Sequence, residues 1–239
     1  MRNLIRTAAL TFVPFLFCGC SSLSKLGLVP TEAEMILGLK DALTQGMFKS
    51  FDAFANPEGN ALVRFALPGE AAKIEKALDD LGLGRIVDNV TGKFTRAIGS
   101  AVQASKPVFV NSIKKLTIKD AVNILVTDNP HAATDYFKRT NKDLLLAAFR
   151  PVVDSTVKAE NADVDWDKIT TVYNAIPFRK QPLEKDLTDF ISGRAIDVMC
   201  LIMANEEEQI RSKYGFRKTD MERKVFAWAE AELKKKMAK

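Results

Sequence analysis

At four places in this chain a hydroxyl residue stands three positions ahead of an acid, where an apolar run at helical spacing begins, and this pattern constrains the fold more than any other feature. The four are Thr31 with Glu34, Thr117 with Asp120, Thr140 with Asp143 and Thr219 with Glu222. A threonine at such a position accepts from the backbone N–H three residues on while the acid reaches back to the threonine's own N–H, so each pair proposes a helix start. After the first, Ile36, Leu39, Leu43, Met47, Phe51 and Phe54 recur every three or four residues, a stripe that one helix face can bury. Twelve Gly and nine Pro are few for 239 residues, which favours helices over many short strands joined by turns.

The remaining punctuation divides the chain into further helices. Gly82 and Gly84 end one over 70–81; Lys106-Pro107 ends a longer one over 85–105; Asp128-Asn129-Pro130 and Gln181-Pro182 mark later breaks. Helices are expected over 108–115, 118–127, 132–139, 141–158, 168–175 and 184–213, with another from Thr219 onward. Pro151 is expected to kink its helix, and 160–167 to be an acidic loop. One stretch, 61–67, alternates with Val63, Phe65 and Leu67 on one side and is the single candidate strand. No internal repeat or long linker is present, so the expectation is an all-α fold, one domain over 31–239 of about 8–10 helices with at most one short strand or hairpin near 61–67.

Ahead of that body lies a segment of different character. Met1 to Arg6 carries two arginines and no acid, 8–18 is apolar apart from Thr11 and Pro14, and Gly19-Cys20-Ser21-Ser22 follows. This is the layout of a secretory signal, and its apolar part is well short of the ~20 residues that span a bilayer. Phe17-Cys18-Gly19-Cys20 resembles the lipobox of bacterial lipoproteins, which implies cleavage between Gly19 and Cys20, diacylglycerol on Cys20 and a membrane anchor, with 20–30 as a lipidated tether. Each buried methylene adds ~0.8 kcal/mol, so two or three acyl chains suffice to hold the protein. Serines after the cysteine resemble the outer-membrane sorting pattern, implying an outer-membrane protein facing the periplasm.

Once Arg2 and Arg6 leave with the leader, 33 basic residues face 30 acidic ones, too small an excess to argue for nucleic acid. Lys234, Lys235, Lys236 and Lys239 form the only basic run and suit a helix C-terminus. Of three cysteines, only Cys200 survives as a thiol, inside Ala195-Ile196-Asp197-Val198-Met199-Cys200-Leu201-Ile202-Met203, where it reads as a small buried hydrophobe.

The usual chemical constellations are incomplete. His131 is the only histidine, so triads and zinc sites built on several histidines are excluded by count. With Asp135 it shares one helix face, but two ligands make a poor metal site, and a solvated histidine at a helix start is the better reading. Asp163, Asp165 and Asp167 alternate as calcium-loop ligands do, yet Lys168 stands where the turn glycine belongs and Asn174 where the closing glutamate belongs, so Asp167 reads as a helix cap. Gly82-Leu83-Gly84 is a helix stop rather than a dinucleotide fingerprint. No catalytic residue, metal ligand or cofactor is assigned. Glu207 and Arg211, four apart in the favourable order at the end of the stripe Leu187, Ile191, Val198, Ile202, are the candidate pair for fixing helix register or lining a polar pocket; an exposed pair of this kind contributes only ~0.3–0.5 kcal/mol.

From Gly38 to Phe226 the order of segments resembles the bacterial domain of unknown function 4197 family. The residues that carry the resemblance are Gly38-Leu39-Lys40-Asp41-Ala42-Leu43, Phe65-Ala66-Leu67-Pro68, Thr117-Ile118-Lys119-Asp120-Ala121, Ala132-Ala133-Thr134-Asp135-Tyr136-Phe137, Phe149-Arg150-Pro151 and Glu206-Glu207-Glu208-Gln209-Ile210-Arg211. The resemblance implies an exported, mostly helical protein and brings no established activity or catalytic residue.

Two functions remain open to the sequence. One is a non-enzymatic envelope protein that binds an apolar ligand or another envelope protein near the membrane, suggested by the anchor and by fifteen Phe and seven Met, most of which must in any case be core. The other is an envelope enzyme working through carboxylates such as Asp120, Asp135 or Glu207 converging from separate helices.

Overall fold

Thr31 opens the first helix through both halves of a capping box. Its N–H donates to Glu34 Oε2 at 2.8 Å and the Glu34 N–H donates to Thr31 Oγ1 at 3.3 Å, which fixes the start of α1 (Glu32–Ala55). Leu39, Leu43, Met47, Phe51 and Phe54 of its stripe are buried and Ile36 partly so, and the helix ends at Asn56 before Pro57. The same reciprocal bonds between Thr219 and Glu222 start α9 (Asp220–Met237). Between them run α2 (Ala71–Asp80), α3 (Gly84–Ala104), α4 (Lys106–Lys115), α5 (Ala121–Leu125), α6 (Ala132–Ala159), α7 (Ala162–Asn174) and α8 (Thr188–Ser212), with a short 3₁₀ turn at Tyr214–Phe216. This computed structural model describes residues 29–67, 71–177 and 182–238; the expected leader, Gly19 and Cys20 lie outside them. Nine α-helices and no strand occur among the described residues, so the body is a single all-α domain.

Four local readings change. Thr140 does not start a helix: it lies within the continuous α6, its hydroxyl donating back to the Tyr136 carbonyl at 2.8 Å, a bond that satisfies a threonine without breaking the helix. Thr117 is no cap either; Asp120 takes that role for α5, accepting the Asn123 N–H at 3.1 Å. The acidic loop expected over 160–167 shrinks to Glu160 and Asn161, the latter left-handed at φ 52°, a conformation asparagine tolerates. Asp163 and Asp165 then fall in the first turn of α7, where the helix dipole favours acids, and Asp167 is an exposed mid-helix residue paired with Lys185 at 3.1 Å rather than a cap. Pro151 sits inside α6 without ending it.

The candidate strand is the most instructive difference. Val63, Phe65 and Leu67 are all buried and their neighbours Leu62, Arg64 and Ala66 exposed, as the alternation requires, yet 61–67 is a turn followed by irregular backbone with no sheet partner. The Phe65 N–H donates instead to Thr95 Oγ1 on α3 at 3.0 Å, and the Phe65 ring packs 4.7 Å from Phe94. Period-two burial here comes from a segment laid across a helix.

Helix α8 is the axis of the domain. Its buried residues, from Ile191 through Met199 and Met203 to Ile210, occupy nearly every face, as expected of a helix with neighbours on all sides. Helix α1 runs antiparallel along it, Gln45 bonding Glu206 and Ser50 bonding the Met199 carbonyl; α6 does the same on another side, Thr134 meeting Glu207 and Arg150 meeting Asp189. Close approach is secured by small residues: a Cβ on Gly46 would lie 3.0 Å from the Met203 Cα, and one on Gly38 would lie 2.9 Å from Val225 Cβ of α9. Aromatic rings form two chains running from the surface into the core, Phe48–Phe51–Phe109–Phe149 and Phe190–Phe65–Phe94–Trp166, edge-to-face at every link except the tilted Phe65–Phe94 pair. Among the described residues no helix is long and apolar enough to cross a membrane.

Candidate binding groove

Three consecutive glutamates near the end of α8 point three ways, because successive residues on a helix are about 100° apart. Glu207 points inward and is almost wholly buried. Its Oε1 accepts the Ala133 N–H at 3.0 Å and its Oε2 accepts the Thr134 N–H and hydroxyl, both at 2.8 Å. These are the free N–H groups of the first turn of α6, whose own N-cap residue, His131, gives no side-chain cap. One turn further along α8, Arg211 Nε donates to Glu207 Oε1 at 2.9 Å, while Nη1 and Nη2 donate to the carbonyls of Leu125 and Ile124 at 3.0 and 2.8 Å. The pair therefore closes the N-terminus of one helix and the C-terminus of another, and the guanidinium sits 5.5 Å above the Phe226 ring of α9.

Arg217 extends this framework. Only 3% exposed, it donates to the Ile210 and Arg211 carbonyls, both at 2.9 Å, closing the end of α8, and to Glu230 of α9 at 3.1 Å. Hydrogen bonds from Lys234 and then Arg217 hold the Glu230 carboxyl below the ordinary range.

On this framework lies a groove of 260 Å³ between the end of α5, the loop before α6, α8 and α9. Leu125, Pro130, Phe226, Ala229 and Leu233 form its apolar walls, and Arg211 frames it. The polar groups around it are largely engaged: Arg211 with protein carbonyls and Glu207, Glu230 with Lys234 and Arg217, Glu208 facing His131 Nε2 at 3.4 Å, and Ser212 donating to the Glu208 carbonyl. What the groove offers a guest is chiefly apolar surface.

The other sequence candidates are scattered. Asp120 and Asp135 are exposed, the first capping α5 and the second accepting from Asn129 at 2.9 Å; neither joins Glu207 in the interior. Asp163, Asp165 and Asp167 lie along α7 instead of in a loop, with Asp165 held by Lys93 at 2.6 Å and Lys168 at 3.0 Å. No cluster of three or more His, Cys, Asp or Glu that could hold a metal occurs among the described residues. Cys200 is buried, and burial pushes its thiol up to about 12, which keeps it protonated and unreactive. Among the described residues, most of the phenylalanines that suggested an apolar cleft are core, Phe48, Phe190 and Phe216 are exposed, and Phe226 is the one that lines this groove. Sequence reasoning passed over Arg217 and Phe226, whose importance rests on contacts to α8 that no local spacing records.

A family model described as "Protein of unknown function (DUF4197)" matches residues 29–227. No curated protein and no solved structure matches the chain.

Proposed function

The chain belongs to the DUF4197 family of proteins of unknown function, and from that premise we propose that it is an exported lipoprotein, held on a membrane through lipid on Cys20, whose helical body is a non-enzymatic module that holds an apolar guest. The observation that carries the binding half is the groove beside Arg211: 260 Å³ with walls of Leu125, Pro130, Phe226, Ala229 and Leu233, and a polar rim largely occupied by its own partners. At 260 Å³ it falls just below the usual size of small-molecule sites, about 300–1,000 Å³, and suits one apolar group such as the end of an acyl chain or a single ring. Burial there is worth about 25 cal/mol per Å² of apolar area, a contribution partly offset by the freedom lost on association.

The anchoring half rests on the N-terminal sequence: two arginines, a short apolar stretch, and Gly19-Cys20-Ser21-Ser22, which also favours the outer membrane facing the periplasm. The alternative of a carboxylate enzyme has less behind it, since Glu207 is saturated by Ala133, Thr134 and Arg211 and the exposed Asp120 and Asp135 do not share its site.

Titration of the protein with a fluorescent polyene fatty acid tests the binding reading. The parent should bind saturably, and Leu233→Arg, which puts a charge on the groove wall, should weaken binding about tenfold or more, the factor that about 1.4 kcal/mol of lost burial produces. Equal binding by parent and variant would remove the groove from the account.

A further inference from the structure

From Asn89 to Lys119 the chain carries six cations and no acid, although the two signs are nearly balanced over its full length. Lys93 and Arg96 pair with acids of other segments, Asp165 and Glu160. Lys106 sits over the Phe51 ring at the start of α4. The other three, Lys114, Lys115 and Lys119, lie at the end of α4 and just beyond it, and a run of one sign with no acid of its own is a local source of positive potential.

The fold turns all three outward and brings two more cations beside them. Leu116 and Ile118 are buried and hold the segment after α4 to the core, while Lys115, Thr117 and Lys119 between and beyond them are exposed, as is Lys114. From α1, Lys40 Nζ donates to the Lys114 carbonyl at 2.7 Å. From α6, the Tyr136 hydroxyl donates to the Thr117 carbonyl at 2.7 Å, and the Arg139 guanidinium lies 5.5 Å from the Tyr136 ring centroid. Asp120, the next residue along the chain, is engaged at the cap of α5, accepting the Asn123 N–H at 3.1 Å and Nδ2 at 2.6 Å. Two apolar side chains border these cations: Leu37, one turn before Lys40, is 51% exposed, and Val122, three residues after Lys119, is 45% exposed.

We propose that this face seats on an anionic lipid surface, with Lys40, Lys114, Lys115, Lys119 and Arg139 over the headgroup phosphates and Leu37 and Val122 against the interface. Long cationic side chains around a few exposed apolar ones are the chemistry of a surface that lies on a bilayer, and each lysine near such a surface adds about fivefold to the partitioning. A lipid surface is favoured over other polyanions by reach. Nine residues, 20–28, separate the proposed anchor from Val29, a span of at most ~30 Å, and Lys40 lies only ~14 Å along α1 from its cap at Thr31. The seat also bears on the apolar groove, and to that extent rests on the function proposed above: α5 starts at this face and ends at Leu125, a wall of the groove, only ~6 Å further on. Seated in this way, the body holds the groove close to the membrane as a source of its apolar guest.

The test is flotation of the full chain carrying Cys20→Ser, which takes the lipid attachment out of the comparison, on vesicles of phosphatidylcholine alone and of phosphatidylcholine with phosphatidylglycerol in equal parts. Binding should be about tenfold or more tighter to the anionic vesicles and should fall as salt is raised. Lys115→Gln combined with Lys119→Gln should weaken it about tenfold or more. Lys168→Gln combined with Lys185→Gln changes the net charge equally on another face and should leave it unaltered. Equal binding to both kinds of vesicle, or equal loss in the two double variants, would overturn the proposal, and so would a preference for duplex DNA or inorganic phosphate over the anionic vesicles. Failure of the anchor reading shows separately, as absence of acyl mass on the parent chain, and failure of the groove reading as fatty-acid binding unchanged in Leu233→Arg.

Discussion

Removing the Glu207 carboxylate while leaving Arg211 in place strips two first-turn N–H groups of α6 of their acceptor and leaves a guanidinium, only 12% exposed, without its counter-charge. Glu207→Ala should therefore cost about 3–5 kcal/mol in urea denaturation, the range for breaking a buried pair by deleting one partner. Glu207→Leu combined with Arg211→Met should cost less than the two single changes added together; strictly additive losses would mean the two residues act independently. The i, i+4 spacing of this pair was legible in the sequence, but its depth was not. Burial is imposed by groups 74 and 86 positions away, Ala133 and Leu125, which no local window contains. Glu222 makes a second residue-scale point with the opposite sign from most acids. Its carboxyl is raised in the folded chain, so the fold binds that proton more tightly than the unfolded chain does. Its stability contribution is then fully present below the ordinary carboxylate range and lost as pH rises through the elevated folded value. Glu222→Gln should match the parent in acid and gain on it as pH rises across that window; a gap that closes with rising pH would contradict the assignment.

Helices are written into this chain more reliably than their ends. Thr31 and Thr219 are caps because the chain arriving at each is free to be extended, whereas Thr140 follows an unbroken stretch of α6 and simply donates to the carbonyl four residues back. Nothing in the four-residue pattern separates the two cases. The segment 61–67 was read correctly for which side chains turn inward and wrongly for what pairs its backbone, since period two reports only an extended chain. Packing between elements makes a sharper prediction at Gly46. Helix propensity alone would have Gly46→Ala stabilise α1 by about 1 kcal/mol. The added Cβ would meet the Met203 Cα at 3.0 Å and its carbonyl oxygen at 3.2 Å, backbone atoms that cannot turn aside, so the substitution should destabilise the fold by about 1–3 kcal/mol. A raised melting temperature would show that α1 and α8 separate more easily than their contact implies.

At the level of the whole molecule, α8 organises both the core and the groove proposed to bind an apolar guest. Its middle is enclosed by α1 and α6, and its last turns send Glu206 to Gln45 of α1, Glu207 to the helix ends and Glu208 to the apolar groove. The all-α class followed from composition and periodicity, but the groove did not, because Leu125, Pro130, Phe226 and Leu233 come together only when α5 and α9 dock on the end of α8. The core claim is that an anchored helical body carries an apolar guest there. Native mass spectrometry of the protein released by mild detergent from its own membranes tests this most directly. The account predicts a chain beginning at Cys20 with the added mass of its acyl chains, and a further apolar molecule that is lost in Leu233→Arg. A chain without acyl mass, or one whose only co-purified molecule is a nucleotide or sugar phosphate, would contradict it.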